Sequence, residues 1–196
     1  MTSHNQALQA AMDADDPVEL ARIEALLDAE DASTRARLAE PDALRAAAHY
    51  YADRNWPVFP CKPGEKVPAT RHGLKDATTS HDMIDQWWTA TPTYNIGLPT
   101  GTYFDVVDID GHQGMQSLLE WCREEDTTTA ELFNPRLGSV LTPRRPGTHI
   151  YTAPTGEGNR AGVRPGIDWR GQGGYVLAPP SRTEHGMYVW ASPVTP

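Results

Sequence analysis

The chain has 196 residues and a mass of 21.6 kDa, enough to bury a core in one domain and carry an appendage. Its formal net charge of −9 opposes general affinity for polyphosphate, and no apolar run approaches the roughly 20 residues that span a bilayer. Cys61 and Cys122 lie far apart without CxxC or Cys/His spacing, which argues against a zinc or disulfide framework and for ordinary thiols in a cytoplasmic protein. The opening MTSHNQALQAAMDADD lacks the basic and apolar regions of a secretory signal. Residues 1–40 are rich in Ala, Leu, Asp, Glu and Arg. Asp16 as cap, Pro17 at the first helical position and Glu19 in the first turn predict a helix, with Val18, Leu20, Ile23, Leu26 and Leu27 as its apolar stripe. This segment is expected to form an acidic helical appendage to a domain covering residues 41–196. The run PDALRAAAHYYADRNW predicts the first core helix, with Leu44, Ala47, Ala48 and Tyr51 inward.

From Trp56 onward the pattern turns to short strands punctuated by Gly and Pro: WPVFPC, YNIGL, YFDVVDI, GSVLT, THIYTA, GIDWR, YVLAPP and MYVWAS. Helices SHDMIDQWWTAT, capped by Ser80, and GMQSLLEWCREED interrupt them. The mixture predicts an α+β or mixed α/β domain rather than a doubly wound parallel sheet. There is no GxxxxGK[ST] and no GxGxxG, hence no P-loop and no dinucleotide fingerprint.

Candidate chemistry begins with DVVDIDG. Residues two apart on a strand share a face, so Asp108 and Asp110 project together while Ile109 turns into the core. Their repulsion costs free energy unless a cation or a shared proton offsets it. Asp168 in GIDWRGQGG also ends a short apolar strand, and three such carboxylates are hard-oxygen donors suited to Mg²⁺ or Mn²⁺. Two ions roughly 3.5–4 Å apart can clamp the attacking and leaving oxygens of a phosphoryl displacement. His149 follows Arg144 and Arg145 and precedes Arg160 and Arg164, a setting for a triphosphate. The charge is unevenly spread. Residues 1–54 carry 11 acids against 5 Arg, whereas residues 136–182 carry seven Arg against two acids. In RGQGGYVLAPPS, Gly171, Gly173 and Gly174 allow close backbone approach to a ligand, Arg170 shares a face with Asp168, and Ser181 offers a hydroxyl to a phosphate. Each motif also has a structural reading: a strand-end turn for DxD, a packing role for a strand histidine, and a hairpin for the glycines.

The order of these pieces resembles the primase-polymerase domain of the archaeo-eukaryotic primase superfamily, in the form found in plasmid and phage replication proteins. In that family a DxD or DxE at a strand end is followed by a Gly-rich stretch ending in His and then by a single Asp. Here those are Asp108 and Asp110, His149, and Asp168. WPVFPCKPGEKVPATRHGLKDATTSHDMIDQWWTATPTYNIGLPTG looks like the family's N-terminal half, and the likeness runs from about residue 42 to 191. One departure is TPRRPGTH, where the family has Ser-Gly-Gly or similar before the histidine.

The resemblance implies an RRM-like antiparallel catalytic sheet with a smaller α/β unit, and template-directed nucleotidyl transfer by two divalent ions, Mg²⁺ or Mn²⁺. Asp108, Asp110 and Asp168 would hold the metals, and His149, Arg170, Ser181 and Arg164 would contact the nucleotide. Implied partners are a single-stranded DNA template, nucleoside triphosphates and a helicase domain or protein. The setting would be the cytoplasm of a bacterial host, or a virus-encoded system, with no membrane. Two other readings stay open: a catalytically weak nucleic-acid-binding or replication-initiation module on the same scaffold, and a DxD-type glycosyltransferase, which leaves Asp168 unexplained.

Overall fold

A computed structural model describes residues 42–144 and 146–192; the helical segment expected over residues 1–40 and Arg145 lie outside the described residues. The described part is α+β. Helix α1 (Ala43–Ala52) buries Ala48, Tyr51 and Ala52, with Leu44 and Ala47 packed beside them, so the expected inward face holds. Helix α2 (His81–Ala90) starts at Ser80, whose Oγ accepts from the Met83 N–H, and buries Ile84 and Trp88.

Two antiparallel sheets account for most strands. The smaller joins β1 (Phe59–Cys61), β2 (Asn95–Pro99) and β8 (Tyr175–Ala178) in the order β1-β2-β8. The larger contains β3 (Asp105–Ile109), β4 (Arg136–Leu141), β5 (Thr148–Thr152), β6 (Arg160–Arg164), β7 (Ile167–Arg170) and β11 (Val189–Ser192). Its order is β11-β4-β5-β3-β7-β6, which places β3 between β5 and β7. A short hairpin of β9 (Arg182–Thr183) and β10 (Gly186–Met187) lies outside both sheets.

Alternation along β3 divides the core. Val107 and Ile109 join Ile150, Ile167, Leu118 and Phe133 beneath helices α3 (Gly111–Glu124) and α4 (Thr129–Leu132). Val106 turns the other way and joins Val140, Tyr151, Trp56 and Phe104 in the core shared with the smaller sheet, α1 and α2. The Tyr51 hydroxyl donates to the Pro179 carbonyl at 2.6 Å and accepts from Trp190 Nε1 at 3.1 Å, tying α1 to the ends of β8 and β11. Asp108 follows Val106 on this second face, beyond the edge of the apolar packing.

Strands β6 and β9 and helix α4 are among the elements not expected from the sequence. Strand β6, RAGVR, has no apolar alternation and pairs with β7 through an irregular register. Helix α4 carries a full capping box, Thr128 with Glu131, a signal that TTAEL does display. Both cysteines are free, and burial pushes the Cys61 thiol up to about 12.

Candidate active site

Register places Asp108 directly opposite His149 on β5 and Asp168 on β7, so the three motifs form one row across adjacent strands. His149 Nε2 lies 3.3 Å from Asp108 Oδ1, and Arg170 donates to Asp108 Oδ2 at 3.0 and 3.3 Å. The same guanidinium donates to Asp168 Oδ2 at 2.7 Å, while Asp168 Oδ1 accepts from the Gly162 N–H at 2.7 Å. Burial alone would push the Asp108 carboxyl up, but the charge and hydrogen bond of His149 and those of Arg170 hold it well below the usual range.

Asp110 is the N-cap residue of α3 but accepts no cap hydrogen bond. Its backbone N–H donates to the Gly166 carbonyl at 2.8 Å, which fixes the β3–α3 corner against the β6–β7 turn. That corner needs glycine on both sides, since a Cβ on Gly114 would run into the Gly166 carbonyl and one on Gly166 into the Gly114 backbone. Burial and the Asp108 charge raise the Asp110 carboxyl. The uncompensated repulsion expected of DxD therefore falls on Asp110, because Asp108 is already paired.

Asp108 and Asp110 share the wall of a cavity of about 440 Å³, also lined by Lys66, Thr142, Arg144, His149, His185 and Tyr188. The cavity's basic groups come from distant segments and are interspersed with Glu65 and Glu184. Lys66 sits on a loop pinned twice: Asn95 Nδ2 donates to the Glu65 carbonyl at 3.0 Å, and the Tyr175 hydroxyl donates to the Lys66 carbonyl at 2.8 Å. Asn95 also bridges to the β9–β10 hairpin by donating to the Arg182 carbonyl at 2.7 Å and accepting from the Arg182 N–H at 2.9 Å. That hairpin's turn holds His185 2.8 Å from Arg144 Nη2. Thr142 Oγ1 and His149 Nδ1 are buried without a hydrogen-bond partner, and both residues line the cavity. Buried polar groups left unpaired are costly, so a hydrogen-bonding partner at either atom would stabilise the site.

Some expected site residues stand elsewhere. Ser181 is fully buried; its Oγ accepts from the Ile96 N–H at 2.8 Å and donates to the Ile96 carbonyl at 3.4 Å, so the hydroxyl serves the smaller sheet and not a phosphate. Arg164 lies opposite Ile167, whose side chain faces α3. It accordingly pairs with Glu124 at 2.7 Å and covers the Trp121 ring, away from the Asp108 face. Gly171 and Gly174 make close approach to the chain itself, at the Glu157 carbonyl and the Asn159 side chain, while Gly173 and Gly174 border a neighbouring cavity with Arg170 and Lys66. The three-carboxylate centre is divided. Asp110 and Asp108 face the cavity, whereas the Arg170 guanidinium stands between Asp108 and Asp168. Among the described residues, no group of three or more His, Cys, Asp or Glu side chains is arranged to hold a metal ion.

Arg170 thus serves as a built-in counter-cation. Arg170→Gln should destabilise the metal-free domain by about 2 kcal/mol, less than the loss of a fully buried partner because the side chain is 27% exposed. Denaturant unfolding with and without Mn²⁺ measures this, and the deficit should narrow when the ion is added. An equal deficit in both conditions would separate Arg170 from any cation site.

The site thus sets Asp108, on the central strand, between His149 and Asp168 on its two neighbours, and opens with Asp110 onto a cavity that also holds Lys66, Arg144 and His185. The profile of the Prim-Pol family, described as bifunctional DNA primase/polymerase, N-terminal, matches residues 48–196, and the chain belongs to that family. Membership points to primase/polymerase-type nucleotidyl transfer in DNA replication, with DNA and nucleotides as substrates. A search of curated proteins finds no significant match. Among the described residues no helix is long and apolar enough to cross a membrane.

Proposed function

We propose that this domain performs template-directed nucleotidyl transfer, priming and extending DNA in a phage- or plasmid-type replication system. The observation that carries this reading is the cavity that sets Asp108 and Asp110, with His149 beside them, together with Lys66, Arg144 and His185. A nucleoside triphosphate has the matching character: a polyanionic tail for the basic groups and an α-phosphate that must be reached near the acids.

The residues present fit a hard divalent cation. Burial and then the neighbouring Asp108 charge raise the Asp110 carboxyl, and both carboxylates are oxygen donors of the kind Mg²⁺ and Mn²⁺ prefer. Asp108 and Asp110, joined by Asp168 once Arg170 turns to the nucleotide, would hold two such ions. Bound there, the ions would neutralise the acids and supply the electrostatic stabilisation that phosphoryl transfer requires.

The protein's own groups do the rest. Lys66 and Arg144 orient the triphosphate by charge-assisted hydrogen bonds, and Thr142 Oγ1 donates to a phosphate oxygen. His149, anchored by Asp108 through Nε2, presents Nδ1 toward the same tail. A primer hydroxyl attacks the α-phosphorus and gives its proton to solvent as the bond to pyrophosphate breaks, with Lys66 and Arg144 holding the leaving group's charge.

Extension of a primed template and de novo priming, assayed with each nucleotide type and each metal, test this reading. Incorporation dependent on Mg²⁺ or Mn²⁺ and lost in Asp110→Asn is expected. Nucleotide and DNA binding without incorporation would instead support the binding-module reading, which the ion-paired state of Asp108 and Asp168 favours.

Template binding should depend on salt, but less than the arginine count suggests. Arg160 pairs with Glu157 and Arg164 with Glu124, which leaves Arg136 and, in the absence of nucleotide, Lys66 and Arg144 for backbone phosphates. Contacts to about two or three phosphates give a log–log slope of roughly −1.4 to −2.1 on a single strand. A salt titration of fluorescent single-stranded DNA should show that slope, and Mn²⁺ with nucleotide should tighten binding. Salt-insensitive binding would remove these basic groups from the template path.

A further inference from the structure

Away from the residues that line this cavity, α1 and α2 meet through a reciprocal arrangement. Each helix carries a histidine followed four residues later by an aspartate: His49 on α1 with Asp53 just past its C-terminal end, and His81 and Asp85 on α2. The pairing is crossed. His49 Nε2 lies 3.0 Å from Asp85 Oδ1, and His81 Nε2 lies 3.3 Å from Asp53 Oδ1. The two Nδ1 atoms face each other at 2.6 Å. The ring centroids are 4.8 Å apart with planes 12° apart, a separation that exceeds the Nδ1–Nδ1 distance by only two ring radii. The nitrogens therefore lie on the line between the rings, and their in-plane lone pairs meet head-on.

Tautomer chemistry turns this into a cation site. A carboxylate at Nε2 holds the proton there, which leaves Nδ1 an acceptor. Two acceptors cannot face each other at 2.6 Å unless a cation lies between them. Asp53 and Asp85 bring two negative charges, and the neighbouring cation is Arg45, 3.8 Å from Asp85. A histidine that binds a metal through one nitrogen while its other N–H meets a carboxylate is the recurring arrangement at zinc sites, and it occurs here twice.

We propose that His49 and His81 form a binding site for a borderline transition-metal ion of the Zn²⁺ type, ligated through both Nδ1 atoms and oriented by Asp85 and Asp53. At Zn–N distances of 2.0–2.1 Å a tetrahedral ion holds two nitrogens about 3.3 Å apart, so the rings must part and also tilt until lone pairs now in line converge on the ion. Both side chains are at the surface, 25% and 54% exposed, which permits that movement and lets water complete the coordination. The ion would pin the C-terminal half of α1 to the first turn of α2. The site is separate from the nucleotide cavity, which calls for hard-oxygen ions, and stands whether or not the nucleotidyl-transfer reading does.

The test is Zn²⁺ alone, titrated into the full chain by calorimetry and followed by thermal unfolding at pH 7.5 and pH 5.5. Wild type, His49→Ala, His81→Ala and Asp108→Asn are compared. One Zn²⁺ per chain should bind at pH 7.5 and raise Tm, with affinity falling at least tenfold in either histidine variant and at pH 5.5, because protons compete for the same nitrogens. Asp108→Asn should keep the site. His81 is exposed at the first residue of α2, so His81→Ala folds even if His49→Ala is impaired. Zinc binding unchanged in His81→Ala would assign it elsewhere. No binding at pH 7.5, with one proton titrating across the pair, would show that the shared cation is a proton. Either result overturns the proposal.

Discussion

Asp108→Asn and Asp110→Asn should each reduce nucleotide incorporation by roughly a thousandfold or more, yet move stability in opposite directions. Asp108 is buried and paired with His149 and Arg170, so its loss strands two cationic groups and costs about 3 kcal/mol. Asp110 is held beside Asp108 without a cap hydrogen bond, so neutralising it removes repulsion and should leave the metal-free domain as stable or more so. From the sequence alone, both variants are expected to behave like Asp110→Asn. The register overturns that for Asp108.

The pH dependence follows with two signs. Asp108 titrates below its unfolded value near 3.9, so its contribution is present above that pH and is lost as pH falls through the folded value. Asp110 titrates above its unfolded value, so what it contributes is complete below that pH and is lost as pH rises through the folded value. Asp110→Asn should therefore gain on wild type as pH rises, while Asp108→Asn should lose the acid-side transition. Denaturant unfolding from pH 2 to 8 measures both. Parallel curves for the two variants would mean that the carboxylates are not differently paired.

Strand alternation made the acidic row legible before any coordinates. Asp108, Ile109 and Asp110 had to divide between two faces, and Asp168 and Arg170 had to share one. What alternation cannot give is which strands become neighbours. The row His149–Asp108–Asp168 exists only because β3 lies between β5 and β7. The same limit explains Arg164 and Ser181, plausible as phosphate contacts by composition but turned by register toward Trp121 and the Ile96 backbone. The basic groups were harder still. Lys66, Thr142, Arg144 and His185 come from three separate segments, gathered through Asn95, an interior residue with no motif of its own. Strand β6 escaped because its sequence carries no apolar period, whereas the Thr128–Glu131 box of α4 was present to be read.

His149→Ala should weaken nucleoside triphosphate binding by about 10- to 100-fold while changing single-stranded DNA affinity by less than about twofold, the range for one charge-assisted hydrogen bond. The split follows from position. His149 is 3% exposed and lines the cavity, its Nε2 is committed to Asp108, and its Nδ1 is buried without a hydrogen-bond partner. A DNA strand crossing the surface cannot reach such a residue, whereas a triphosphate seated in the cavity would meet it. Asp108 would lose one of its two partners in this variant, so some stability should be lost as well, and Arg170 would retain the carboxylate. His149→Gln separates the two effects, because its amide can keep a hydrogen bond to Asp108 but carries no charge to the phosphates. It should recover stability and not nucleotide affinity. Nucleotide and DNA affinities measured side by side in both variants check this. Equal loss of the two, or recovery of nucleotide binding in His149→Gln, would make His149 a strut for Asp108 and leave Lys66 and Arg144 to hold the triphosphate alone.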